Sequence, residues 1–256
     1  MSNKVKRIYN WFPSRPDHRD MKLSYGLVKR KLLLPKKVDL RGGMPEVYDQ
    51  GELGSCTGQA IGAAYEYSQM KQRQKDFTPS RLFIYYNERK LEGNVMVDSG
   101  AVIRTGMKAI SRFGVCTEIT WPYDIKKFTQ DPGSKAYAEA SYHQAIEYRN
   151  VDQDLDQLRA ALNDGYPVVF GFTVFEGFES DEVAKTGLLK MPEVSEKNMG
   201  GHAVLMVGYD DSKKHFIVRN SWGKNWGDKG YFYMPYEYAI DAGLADDFWT
   251  LTKVEQ

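Results

Sequence analysis

A chain of 256 residues can bury one large core or two small ones, and 42% hydrophobic with 27% charged residues is ordinary for a globular protein. A net charge of +1 gives no global field of one sign, and the longest purely aliphatic run, Leu32-Leu33-Leu34, is far too short for a membrane-spanning helix. The first twelve residues mix charges with scattered apolar side chains and hold no signal-peptide core, so a cytoplasmic or otherwise intracellular location is expected.

Residues 1–37 carry eleven lysines and arginines against two aspartates, a charge of +9, which leaves −8 for the rest of a +1 chain. With Pro13, Pro16 and Pro35 and no sustained periodicity, this segment is expected to be an extended basic arm. Gly54-Ser55-Cys56 then opens a first helix, with Ser55 as the expected N-cap and Ile61, Ala64, Tyr65 and Ser68 on one face to about Gln72. Gly58 and Gly62, one turn apart, predict close packing against another element. Thr78-Pro79 starts a second helix through Leu82, Tyr85, Tyr86 and Arg89. A third runs from about Ala101 to Phe113 and stops at Gly114; a fourth is carried by Leu155, Leu158 and Leu162 and stops at Gly165. From Pro167 the chain reads as strands: Val168–Phe175, His202–Tyr209, Phe216–Asn220, Tyr231–Met234 and Phe248–Val254. Helices first and strands later predict an α+β protein of two lobes, a helical one over 38–128 and a β-rich one over 129–256. The boundary falls near Pro122, Pro132 and Gly133.

Two cysteines are too few for a disulfide framework. Cys56 stands at a helix N-terminus, where free backbone N–H groups and the helix dipole favour a thiolate. Cys116 follows Gly114-Val115 with no histidine near it in sequence, and reads as a small buried apolar side chain. Gln50, six residues before Cys56 in a turn-prone Asp49-Gln50-Gly51, could offer an amide to an oxyanion; taken alone it reads sooner as a surface turn residue. Among four histidines, His202 opens a strand, and the turn Asp210–Lys214 leads into the next. In that hairpin Asn220 lies opposite His202 or one diagonal step away, placed to orient the imidazole through one ring nitrogen. His18, His143 and His215 are expected to face solvent. No Cys/His cluster has zinc spacing and no glycine-rich loop has a phosphate-binding pattern, so no metal or cofactor is expected.

Gln50-Gly51-x-x-Gly54-Ser55-Cys56, Gly201-His202-Ala203, and Asn220-Ser221-Trp222-Gly223-x-x-Trp226-Gly227-x-x-Gly230-Tyr231 resemble the three signature blocks of papain-like cysteine peptidases. The 146 residues from Cys56 to His202 lie within the ~130–150 of that family, and Asn220 lies 164 on. Weaker similarity spans most of 38–235, including Val38-Asp39-Leu40-Arg41 and Trp121-Pro122-Tyr123. The resemblance implies a helical lobe and a β-barrel-like lobe with the site in the cleft between them. It also implies Cys56 as nucleophile in a thiolate–imidazolium pair with His202, Asn220 orienting that base, and Gln50 in the oxyanion hole. Gly100, Gly201 and Trp222 would border the substrate, with Trp222 shielding the His202–Asn220 contact from water. The sequence departs from the family where Leu53 precedes the Gly-Ser-Cys and Thr57-Gly58 follow it, and where Gly201 replaces an acidic residue of plant members.

The expected function is peptide hydrolysis through an acyl-enzyme, as an endopeptidase on peptide or protein substrates. Acyl transfer by the same residues and a catalytically inactive binding protein on the same fold are the alternatives. A monomer without nucleic-acid or membrane partners is expected. Because relatives keep an N-terminal segment across the site, the arm is expected to be inhibitory, as in a zymogen. It would be anchored by Tyr9, Trp11 and Phe12 and attracted by the −8 body.

Overall fold

In the computed structural model, which describes residues 7–23 and 34–255, the strands join in one eight-stranded sheet and the helices lie against it. In chain order the elements are β1 (Lys22–Leu23), β2 (Lys37–Asp39), α1 (Cys56–Lys71), α2 (Arg81–Glu92), α3 (Ile103–Arg112), α4 (Gly133–Ala140) and β3 (Ala145–Val151). There follow α5 (Leu155–Asn163), β4 (Val168–Phe175), α6 (Asp181–Thr186), β5 (Asn198–Asp210), β6 (His215–Arg219), β7 (Tyr231–Pro235), α7 (Tyr236–Ile240) and β8 (Ala245–Val254). The sheet order is β1-β3-β8-β4-β5-β6-β7, and β2 takes over the edge of β5 where β4 ends.

Strand alternation builds two cores, because successive side chains point to opposite faces. On one face Val168, Phe170, Phe172 and Val174 of β4 meet Val204 and Met206 of β5 together with Phe216, Phe232 and Phe248. On the other, Val169, Ala203, Leu205, Val207 and Trp249 meet Cys56, Ala60, Ile61 and Ala64 of α1 and Ile103, Met107 and Ile110 of α3. α1 is buried on every side from Cys56 to Gln69, so the single apolar face read from its sequence understates it. Its small residues make that possible: a Cβ on Gly58 would lie 2.8 Å from the Arg81 carbonyl oxygen, and one on Gly62 3.3 Å from the Arg81 side chain.

The α+β architecture is as expected, with local corrections. α2 begins at Arg81, capped by Ser80, whose hydroxyl accepts from the Phe83 N–H; Pro79 instead bridges to Thr117. α4 packs Ala136 and Ala140 on Phe83 and Cys116, so by packing the helical lobe continues past the expected division at 128/129. The arm was expected to end at residue 37, yet Pro35 and Lys36 already bond to Tyr209 and Asp211, and Lys37 pairs with Asp210. Hydrogen bonding to β5 makes that stretch part of the sheet. Of the histidines expected to face solvent, His18 does, but His215 is buried against the Tyr233 ring and His143 is half-buried with its ring tilted against Phe77.

Candidate active site

Cys56 is the first residue of α1 and is fully buried. Ser55 occupies the expected N-cap position but makes no capping bond; its hydroxyl instead meets the Tyr123 hydroxyl at 2.5 Å. The first N–H groups of α1 therefore stay uncommitted to a side-chain cap, and an uncapped helix N-terminus is a ready anion site.

The Gln50 turn is fastened to the far end of the site by backbone pairing. Gln50 N–H donates to Ser221 O at 2.9 Å, Gly223 N–H to Tyr48 O at 2.9 Å, and Asp49 bridges to Trp222. The Gln50 amide is oriented at both ends: its oxygen accepts from Ser221 Oγ at 2.6 Å and its nitrogen donates to Leu53 O at 3.0 Å. One amide N–H remains free to donate. Gln50 is buried, so it is not the surface turn residue that its sequence context alone allowed.

His202 and Asn220 meet as the hairpin geometry required: His202 Nε2 lies 2.8 Å from Asn220 Oδ1. Leu205 pairs with Arg219, which leaves Asn220 one diagonal step from His202 and just beyond the end of β6. The Ser221 N–H also donates to Asn220 Oδ1 at 2.8 Å, so that atom is an acceptor and Nε2 carries the hydrogen. The neutral ring then has its lone pair on Nδ1, which has no hydrogen-bond partner among the described residues. Trp222 stacks on the imidazole at 5.3 Å between centroids and 25° between planes, with Phe172, Phe178 and Tyr9 around it. The next residue, Ala203, packs with Cys56 in one buried cluster, so the cysteine lies against the strand that carries His202.

Comparison with known proteins matches residues 34–250 to the papain family cysteine protease model. The chain belongs to the papain family of cysteine proteases. An uncharacterized peptidase C1-like protein L477 from Acanthamoeba polyphaga mimivirus is 43% identical, covering 98% of this chain and 88% of its own length. Mouse cathepsin R is 28% identical over 89% of this chain and 68% of its own. Among solved structures, xylellain, a cysteine protease from Xylella fastidiosa, superposes with a TM-score of 0.89 at 42% identity, covering 96% of both chains.

In this protease the arm lies through the site. Asn10 pairs in parallel with Gly201, and Trp11 N–H donates to Gly201 O at 2.9 Å. The Asn10 amide donates to Asp98 O at 2.9 Å on the opposite wall. Four glycines make the trough. A Cβ on Gly100 would lie 1.8 Å from Asn10 O, and one on Gly171 1.9 Å from the Trp11 ring. On Gly200 it would lie 2.5 Å from Tyr9 O, and on Gly201 2.2 Å from Trp11 O. Trp11 is 6% exposed, whereas Phe12 is 58% exposed and anchors nothing: neighbours in an extended strand point oppositely. Beyond the site Arg7 spans Trp222 and Gly51 O, the Tyr9 hydroxyl donates to Glu179, and Ser14 reaches the buried Asp247. Arg104 holds Arg15 O and Asp20.

Under this cover both reactive groups are held neutral. Burial pushes the Cys56 thiol up to about 12, with the buried Glu88 adding to the rise, against the N–H groups of Ala203 and Thr57. Burial brings the His202 imidazole down to about 4, against its contact with Asn220, and the Arg7 cation lowers it further. The second thiol, Cys116, is also pushed up to about 12 by burial, so position and not acidity separates the two. Cys116 sits among Phe83, Ala136 and Ala140. Neither cysteine is in a disulfide.

Five contributors escaped the sequence reading. Ser221 orients Gln50, and its place beside Asn220 in the third signature block was the one available signal. Gly171, Gly200, Arg104 and Asp247 hold the arm, but only the folded chain brings them to it.

Proposed function

We propose that this papain-family protease is an endopeptidase whose own N-terminal arm restrains it. Cys56 Sγ attacks the substrate carbonyl carbon as its proton passes to His202 Nδ1. The carbonyl oxygen becomes an oxyanion held by the Cys56 N–H and the free Gln50 amide N–H. Collapse expels the amine, which takes the proton from His202, and leaves a thioester. Water, deprotonated by the same nitrogen, then hydrolyses that thioester and restores the thiol. Asn220 keeps Nδ1 available by fixing the hydrogen on Nε2. The observation that carries the reading is the convergence of a tautomer-fixed His202, a Cys56 packed on the adjoining Ala203 and an oriented Gln50 at one uncapped helix end.

Endopeptidase action is supported by the arm itself. It crosses the cleft as extended chain and continues on both sides, so the trough accepts polypeptide without a free end. The restraint is supported by the backbone contacts of Asn10 and Trp11 with Gly100 and Gly201, the glycines expected to border substrate. Deleting residues 1–33, which leaves the sheet-forming 35–39 in place, should raise kcat/KM on a small peptide, and adding Cys56→Ala to that deletion should abolish turnover. Peptidase activity surviving Cys56→Ala, or activity unaltered by the deletion, would overturn the corresponding half of the reading.

A further inference from the structure

We infer that Tyr123 is a positioning residue for the oxyanion site, its hydroxyl fixing at once the loop that carries Gln50 and the peptide that carries the Cys56 N–H. The inference rests on the peptidase reading above. Tyr123 Oη donates to Gln50 O at 2.9 Å and lies 2.5 Å from Ser55 Oγ. A phenol has one hydrogen, so with that hydrogen on Gln50 O the Ser55 hydroxyl must donate to Tyr123. Ser55 Oγ in turn accepts from Gln59 Nε2 at 3.2 Å, and Arg81 fixes that amide by donating to Gln59 Oε1 at 3.3 Å. The result is a one-directional relay of donors from Arg81 through Gln59, Ser55 and Tyr123 to the backbone of Gln50. Bonds aligned in this way polarise one another.

The ring is fixed independently of the hydroxyl. It lies under the Arg81 guanidinium at 4.6 Å and packs beside Leu53, Leu82, Tyr85 and Ala101, while its backbone N–H is held by Glu118, the ion-pair partner of Arg81. The Ser55–Cys56 peptide supplies one oxyanion donor and Gln50 the other, and the relay ties the two together. This explains why Ser55 leaves the helix uncapped: its hydroxyl is committed to Tyr123.

Tyr123→Phe keeps the ring and removes the tie. It is to be measured in the full chain carrying Trp11→Ala, which loosens the arm. The readouts are kcat and KM on a peptide amide and the rate of Cys56 alkylation by iodoacetamide, a reaction that forms no oxyanion. kcat should fall on the order of tenfold, below the ~10²–10³ of deleting a donor outright. KM should stay within about twofold, and the alkylation rate and its pH profile should not change. In a Gln50→Ala background the same substitution should cost less, because only the Cys56 N–H is left for the relay to position. Should Tyr123→Phe misfold, Ser55→Ala breaks the same relay, and the same loss confined to kcat is expected. An unchanged kcat, an equal loss of alkylation, or full additivity with Gln50→Ala would overturn the inference alone. A Trp11→Ala parent that cleaves no peptide would overturn the peptidase reading and this inference with it.

Discussion

The proposed catalytic groups are defined less by their identity than by which of their atoms are already spoken for. Asn220 Oδ1 is committed to Ser221 N–H and His202 Nε2, and Gln50 Oε1 to Ser221 Oγ, so both amides have one possible orientation. Gln50→Ala should lower kcat by about 10²–10³ with KM little changed, because the lost donor acts on charge that develops only in the transition state. Steady-state kinetics of the arm-deleted enzyme would check this. pH supplies a second test. With the arm in place the imidazole is neutral above about 4 and the thiol protonated below about 12, so no ion pair stands ready between those limits. Alkylation of Cys56 in the intact chain should therefore be slow at neutral pH and climb steadily with rising pH. Removing the arm admits water, and the profile should gain a plateau reaching to acidic pH. A neutral-pH plateau in the intact chain would show the pair already charged beneath its cover.

At the scale of elements, legibility followed locality. The helix stops at Gly114 and Gly165 were readable because both need a left-handed backbone, and they have φ of 75° and 74°. The start of α5 was not read: there Asp154 caps the helix, accepting from the N–H groups of Asp156 and Gln157. Asp154→Ala should destabilise the protein by about 1 kcal/mol in denaturant unfolding while leaving kcat/KM unaltered, since its side chain bonds to the first turn of its own helix. What sequence misassigned was tertiary. Ser55 has every local reason to cap α1, yet a tyrosine 68 residues later takes its hydroxyl. The hairpin midpoint came close because it is local too; the register shift between Met206 and Gly208, where β2 presses its Val38 oxygen against Gly208, moves the pairing by one residue.

At the scale of the molecule, the arm's presence was readable from charge and proline, but the source of its hold was not. Attraction between a +9 arm and a −8 body gives docking at a distance. In contact, the pairs of Arg7 with Asp49 and Lys22 with Asp152 are half open to water, and the better-buried one, Asp20 with Arg104, has the opposite polarity. Exposed pairs are worth at most about 1 kcal/mol each and weaken with salt. Burial of an indole on glycine backbone is worth several times that. Raising salt should accordingly increase the activity of the intact chain only a few-fold, whereas Trp11→Ala should increase it by about ten- to a hundredfold in kcat/KM. Equal effects of the two would return the hold to electrostatics. None of the four trough glycines announced this, since a glycine that touches a remote segment looks in sequence like any glycine in a turn.

That trough also sets the form of the kinetics. Arm and substrate would press on the same backbone at Gly100 and Gly201, so only one can be present at a time, and the arm, being tethered, never dilutes away. On the proposed reading it would act as a competitor at fixed local concentration. Saturating substrate should then drive every molecule open: the intact chain should show the kcat of the truncated one and a KM multiplied by one plus the closed-to-open ratio. The restraint would be reversible without a cut, independent of enzyme concentration, and felt only where substrate is scarce.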